Sequence, residues 1–156
     1  MTHTAHLDPI AHKLTEFFQT HLPITDYMGM SVEYYDGQTL TLKAPLAPNI
    51  NDKQTGFGGS LYNMAVMACW GMAYLKTQEA AIACNQVVAK GAIEYKTPVT
   101  GVIRATCRVD DLAVTEAFIN DFKQNGKARI NLSSSIECNG KQAVEFHGQY
   151  AIFKPL

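Results

Sequence analysis

Charge is scarce in this 156-residue sequence. Asp, Glu, Lys and Arg make up only 17% of it, below the usual quarter, and 47% is hydrophobic. That balance excludes a chain kept unfolded by charge or by want of apolar residues. Neither sign is in excess: thirteen Lys and Arg oppose fourteen Asp and Glu for a net charge of −1. The basic footprint of a nucleic-acid binder is therefore missing, and a small molecule or a protein is the expected partner. The four cysteines, Cys69, Cys84, Cys107 and Cys138, stand 15, 23 and 31 residues apart with no Cys-x-x-Cys pair, which is not zinc spacing. Each lies in an apolar or alternating stretch and reads as a small hydrophobe in a reducing compartment, with no disulfide framework. No metal and no cofactor are called for. The first eighteen residues lack a basic segment followed by an apolar run and a cleavage site, so no signal peptide and a cytoplasmic location are expected. No apolar run reaches the ~20 residues of a membrane span. A length of this order favours one domain.

Periodicity supplies the elements. Asp8-Pro9 reads as an N-cap followed by Pro at the first helical position, and Ile10, Leu14, Phe17 and Phe18 recur on one face to about His21, with Pro23 as the stop. Met30 to Tyr35 and Leu40 to Ala44 alternate around a two-residue Asp36-Gly37 turn, a hairpin. Pro45 to Gly59 is crowded with Pro, Asn, Asp and Gly and reads as a loop long enough to be functional. Between Leu61 and Leu75 the one clearly polar side chain is Asn63, and a helix apolar on all sides must be buried all round. Val87 to Thr97 and Val102 to Val109 read as a second antiparallel pair about Thr100-Gly101. Val114, Phe118 and Phe122 mark a short helix ended by Asn125-Gly126. Ala128 to Cys138, an Asn139-Gly140 turn and a final strand to Phe153 complete the chain. An α+β architecture follows, an antiparallel sheet of about six strands curled around one apolar helix.

Gly56, Gly58 and Gly59 stand immediately before that helix. Glycines there either let a ligand approach the free N–H groups at the positive end of the helix, or allow close packing of helix on sheet. No Lys-Ser or Lys-Thr follows, so this is no phosphate P-loop, and the dinucleotide fingerprint fails as well. Ser60 stands where a helix N-cap belongs and lacks the surroundings of a nucleophilic serine. Cys69 is mid-helix, where a buried thiol is inert. His147 has no evident partner, and it is read with His3, His6 and His12 as solvent-facing. Lys127 and Arg129 share a strand face and, with Arg104 or Arg108, either meet phosphates or an acidic carrier or simply form a solvated face.

The run Asn49 to Tyr62, NINDKQTGFGGSLY, with the apolar helix behind it, resembles the hotdog-fold thioesterase superfamily. It is most similar to the YiiD C-terminal thioesterase-like family, whose APL-x-PN-x-N and T-x-FGGSLY segments are matched from Ala44 to Tyr62. The likeness continues through Ile93–Val99 (IEYKTPV) and Gly126–Arg129 (GKAR). It implies one hotdog domain over residues 1–156, with 1–23 as a helical extension and 56–78 as the central helix. It further implies a homodimer or dimer of dimers with the acyl site at the interface, an acyl-CoA or acyl carrier protein substrate, and no membrane partner. Acetyltransferase activity, found in some relatives with an added N-terminal domain, is not expected. In the phenylacetyl-CoA type of hotdog thioesterase, an Asn six residues before an HGG element positions substrate or water, a Gly N–H polarises the thioester carbonyl, and a helix carboxylate activates water. By that likeness Asn51 takes the Asn role, and Gly58 and Gly59 take the glycine role. Phe57 stands in place of the His and Val66 in place of the acid. Asp52 is the one carboxylate near the motif and either activates water or serves the turn. Asn49, Thr55, Phe57, Tyr62 and Asn63 are the expected substrate contacts. Three activities remain open: thioester hydrolysis; malonyl-thioester decarboxylation, which needs stabilisation of an enolate oxygen but no strong base; and non-catalytic acyl binding.

Overall fold

The helix that the sequence leaves without a polar face is the axis of the molecule. In the computed structural model, which describes residues 7–155, it runs from Gly58 to Glu79 (α3), and thirteen of its twenty-two residues are buried. Burial is unbroken from Met64 to Cys69, so every side of the helix is covered there. Each fully buried Met or Leu stabilises the fold by about 1.5–3 kcal/mol. The cover is one antiparallel sheet in the order β1-β2-β4-β5-β6-β3. Its strands are Ser31–Tyr35 (β1), Thr39–Ala44 (β2), Asn85–Tyr95 (β3), Ile103–Arg108 (β4), Lys127–Cys138 (β5) and Lys141–Phe153 (β6). The helix touches β2 through β6, and hydroxyls from the sheet reach it: Ser134 Oγ donates to the Ala65 carbonyl and Tyr150 Oη to that of Val66, each at 2.7 Å.

The remaining flanks of α3 are closed by α1 (His12–His21), entered through a 3-10 turn that Asp8 caps by accepting from the Ile10 N–H at 3.1 Å, and by α4 (Leu112–Asn125). Gly71 marks the tightest approach. A methyl group there would stand 2.8 Å from Leu40 and 2.9 Å from Leu14, so the absence of a side chain lets both α1 and β2 close on the helix. At the far end, half-exposed Glu79 takes the Tyr35 hydroxyl and the ammonium of buried Lys76, which also donates to the Gly37 carbonyl. Burial, and then the Glu79 bond, push the Tyr35 phenol well up. This network ties the C-terminal turn of α3 to the β1–β2 turn.

Several local expectations give way. Pro23 does not end the helical region; it occupies the first turn of a further short helix, α2 (Pro23–Met28), where its missing N–H costs nothing. The β1–β2 connection is the three residues Asp36 to Gln38 and is held by Asp36 Oδ1 accepting from the Gln38 and Thr39 N–H groups, while β1 carries a bulge between Val32 and Tyr34. Ser60 lies inside α3, whose N-cap is Phe57, and makes no cap hydrogen bond. The largest change concerns β3 and β4, which are not partners. β3 pairs with β6 at one edge of the sheet, and β4 lies between β2 and β5. The seven residues Lys96 to Val102 therefore cross between distant positions instead of turning a hairpin, and the crossing passes the start of α3, where the Gly56 N–H donates to the Val99 carbonyl at 2.8 Å. No helix among the described residues is long and apolar enough to cross a membrane.

Candidate active site at the start of the central helix

The long loop before α3 is built by its own asparagines. Asn51 accepts from the N–H groups of Lys53 (2.8 Å) and Thr55 (3.0 Å) on Oδ1, and its Nδ2 donates to Thr55 Oγ1 at 2.9 Å and to the Gly56 carbonyl at 3.4 Å. The Asn51 N–H also donates to the Thr55 carbonyl, and Ile50 and Gly56 form an antiparallel bridge, so residues 50–56 make a closed miniature hairpin with Gln54 at φ 65°. Asn49 lies beneath it, buried, with Nδ2 donating to the carbonyls of Met28 and Pro45 at 2.8 Å each. Expected at the ligand surface, Asn49 instead fastens the loop to α2, because a buried amide takes the nearest free carbonyls.

This loop delivers the chain to Gly58 at a fixed angle, with the Phe57 N–H held by the Asn49 carbonyl at 2.7 Å. The first backbone bond of the helix is Leu61 N–H to Phe57 C=O, and no partner is found among the described residues for the N–H groups of Gly58, Gly59 and Ser60. Three free donors at the positive end of a 22-residue helix are chemically able to receive an anion or a carbonyl oxygen. The phenyl of Phe57, 54% exposed, lies over Gly59, since a methyl on that residue would meet its Cε1 at 2.7 Å. On the other side a cleft of about 280 Å³ is lined by Thr55, Gly58, Leu61, Tyr95, Thr97 and Pro98, among others. Tyr95 Oη donates to the Gly58 carbonyl at 2.8 Å, and burial followed by the neighbouring Tyr62 raises its pKa.

The residues expected at the site are thus only partly gathered. Asn51, Thr55, Phe57, Gly58 and Gly59 surround the helix start. Tyr62 lies one turn further on, its ring edge-on to Phe146 at 5.7 Å and its hydroxyl over Gly91. Asn63 is turned toward α2, with Nδ2 at 3.0 Å from Met28 Sδ. The Asp52 carboxylate is 81% exposed and pairs with Lys53 at 3.0 Å. Lys127 and Arg129 stand elsewhere: Lys127 is aligned through Phe153 with Asn85, ten residues along β3 from Tyr95, or about 30 Å at ~3.3 Å per residue. Arg129 there donates to Gln149 at 2.7 Å, and Arg104 and Arg108 are paired with Glu33 and Asp110.

His147 does have partners, Ser133 at 2.7 Å and Glu145 at 3.1 Å, but on the exposed face of β5 and β6. Among the thiols, Cys69 and Cys107 are buried, and hydrogen bonding to Cys69 together with burial pushes Cys107 up. Cys138 departs from the reading as an inert hydrophobe. It is half-buried, and the Thr100 N–H and hydroxyl at 3.5 and 3.6 Å lower its pKa. The site residues missed in the sequence are Tyr95, Thr97 and Pro98. Their signal was present in the Ile93–Val99 run, but nothing local shows that this run meets the loop before α3.

Over residues 11–154 the chain matches the family described as "Putative thioesterase (yiiD_Cterm)". The chain belongs to this family. It is 53% identical to a protein of unknown function from Chlorobaculum tepidum TLS whose crystal structure superposes with a TM-score of 0.93, covering 97% of this chain and 99% of that one. A crystal structure described as a "putative thioesterase" from Shewanella oneidensis is 29% identical over 96% of this chain and 100% of that one, with a TM-score of 0.83. A Pseudomonas aeruginosa protein at 17% identity and a TM-score of 0.68, covering 97% of this chain and 99% of that one, shares the fold. The architecture is the hotdog fold, and membership of a family described as putative thioesterases supports a function of the thioesterase type.

Proposed function

We propose that the protein hydrolyses acyl thioesters of CoA or acyl carrier protein, binding the thioester carbonyl at the start of α3. The observation that carries this reading is the set of unpartnered N–H groups on Gly58, Gly59 and Ser60. Donors fixed before the reaction stabilise the oxyanion of a tetrahedral intermediate without reorganising, and one such donor is typically worth about 10²–10³-fold in rate. Asn51 holds the loop that aims them, and its Nδ2 contact to the Gly56 carbonyl, at 3.4 Å, is the weakest of its bonds and the one open to exchange for substrate. Water is activated by Asp52 or held by Asn51. The sole carboxylate of α3, Glu79, is 21 residues from Gly58, about 30 Å along the helix at ~1.5 Å per residue.

The free edge of β3 supports a homodimer, or a dimer of such dimers. Eleven residues long, β3 is paired on one side and exposes Val87, Val88 and Tyr95. A second copy adding its own β3 there would cover these side chains and stand beside the helix start.

The want of a carboxylate in the first turn of α3 favours a second reading, decarboxylation of a malonyl thioester, in which the same amides stabilise the enolate oxygen as CO₂ leaves. Incubation with acetyl, malonyl and longer acyl thioesters, following free thiol and CO₂ together, separates the two. Thiol without CO₂ establishes hydrolysis, acetyl thioester plus CO₂ without thiol establishes decarboxylation, and neither product leaves a module that only binds. Asn51→Ala is expected to lower whichever rate appears by about 100-fold; an unchanged rate removes the site from this loop.

A further inference from the structure

The outward face of β5 and β6 carries a second array of reactive groups, on the opposite side of the sheet from α3. Alternation along β5 turns Asn131, Ser133 and Ser135 outward, while Ile130, Leu132 and Ser134 are buried. The strand register sets the outward three opposite Gln149, His147 and Glu145 of β6, and directly opposed residues share a face. Neighbouring cross-strand rows are thus Asn131–Gln149, Ser133–His147 and Ser135–Glu145.

A proton path runs from the middle row to the last. Ser133 Oγ stands 2.7 Å from His147 Nδ1, and His147 Nε2 stands 3.1 Å from Glu145 Oε1. A carboxylate only accepts, so His147 carries its proton on Nε2 and leaves Nδ1 to accept from the Ser133 hydroxyl. The Lys96 ammonium at 2.9 Å, and then His147, hold the Glu145 carboxyl below the ordinary carboxylate range. Serine, imidazole and carboxylate stand in the order nucleophile, base and orienting group, with the two ring nitrogens exchanged relative to the Ser-His-Asp arrangement.

The first row adds a donor. Arg129 Nη1 donates to Gln149 Oε1 at 2.7 Å, and Gln149 Nε2 to Asn131 Oδ1 at 3.3 Å. Each group polarises the next, and the chain ends at Asn131 Nδ2, for which no partner is found among the described residues. Asn131 and Ser133 are two residues apart on β5, about 7 Å at ~3.4 Å per residue. An acyl carbon on Ser133 Oγ, with a hydrogen bond from Asn131 to its oxygen, spans that gap. At Ser135 begins a cleft of about 400 Å³, lined by Thr41, Arg104 and Thr106 among others, with room for the rest of a small polar substrate.

We propose that Ser133 is a nucleophile, activated by His147 and oriented through Glu145, by which the protein hydrolyses small polar esters at a site separate from the start of α3. Ser133 Oγ bonds to the acyl carbon as its proton passes to His147 Nδ1; the ester C–O bond breaks, and the leaving alcohol takes that proton. Water then attacks the acyl carbon, its proton passing by way of Nδ1 to Ser133 Oγ as the acid is released. His147 is 61% exposed, so water reaches the acyl-serine freely and a long acyl chain gains no cover there.

The test uses two probes on the full chain. A small alkyl fluorophosphonate, which loses fluoride to an activated serine and stays bound, locates the nucleophile by peptide fragmentation; 4-nitrophenyl acetate reads turnover. Ser133 is expected to be labelled at least about 100-fold faster than Ser135, which shares the face but not the imidazole. His147→Gln and Glu145→Gln are expected to slow labelling of Ser133 by about 100-fold or more and leave that of Ser135 unchanged. Asn131→Ala is expected to lower 4-nitrophenyl acetate turnover by about tenfold or more. Melting temperatures should change little in these surface variants, which separates loss of chemistry from loss of fold. A label found only on cysteine, lysine or another serine, or a Ser133 label that His147→Gln leaves at the wild-type rate, overturns the inference.

Discussion

At Gly59 the missing side chain lets an aromatic ring lie over the first turn of a helix. Alanine is the better helix former by about 1 kcal/mol, and Phe57 is free to swing into solvent. Gly59→Ala is therefore expected to keep or raise the melting temperature while moving the phenyl away and lowering kcat/KM by about tenfold, measured by thermal denaturation alongside thioester turnover. Asp36 supplies a second residue-scale expectation. Its bond from the Gln38 N–H first, with those from Thr39 and Tyr34, holds its carboxyl below the ordinary carboxylate range. A folded-state pKa lowered in this way contributes stability that is complete above the unfolded value and is lost as pH falls through the folded one. Asp36→Asn keeps the acceptor oxygen but not the charge. The gap in melting temperature between wild type and variant should thus narrow as pH falls below the ordinary carboxylate range, and a gap constant with pH would refute the assignment.

Two asparagines of one loop show where residue-scale reading stops. Asn49 and Asn51 are two positions apart and of one type, but one is buried under the loop and the other closes it. The difference lies in which carbonyls α2 leaves unpaired nearby, and the motif carries no record of that.

Elements were largely legible because each has its own period. The unbroken apolar run could be nothing but a covered helix, and the alternation of residues 128 to 138 appears in β5 as strict inside-outside burial. Partners were less legible. β3 and β4 are consecutive strands separated by a Thr-Gly pair, and consecutive strands are neighbours roughly two-thirds of the time; here seven residues with Pro98 carry the chain across the sheet. Pro23 misled for a related reason, since proline both stops a helix and starts one. The glycine pairing of β3 with β6 is the element-scale feature most open to test. Gly148→Ala puts a methyl 2.7 to 2.9 Å from two buried aromatic rings that have no space to retreat. A loss of about 1–3 kcal/mol is expected from the denaturant midpoint, against near neutrality for Gly101→Ala, where a methyl meets nothing within 4 Å.

For the whole molecule the decisive quantity is the mass in solution. If the β3 edge joins two copies, sedimentation should give at least twice 17.2 kDa. The double substitution Val87→Lys and Val88→Lys, placing charge on both faces of that edge, should return the chain to 17.2 kDa and abolish turnover together. A wild type that sediments as a single copy and remains active would show that one chain holds a complete site.

The place of β3 in the sheet also bears on how the chain is made. β3 ends at Tyr95, and the strand that pairs with it, β6, begins at Lys141, forty-six residues later. At roughly 5–20 residues per second on the ribosome, an apolar strand and the flank of the central helix beside it wait about 2 to 9 s for their cover. During that interval both edges of β3 are bare, and neighbouring nascent chains of the same polysome carry the same bare strand. The segment proposed to join two finished copies is thus also the one most exposed to joining unfinished ones, and slower translation of residues 96–141 is expected to lower the fraction recovered in native form, measured as the yield of folded protein from synonymous coding sequences of different speed.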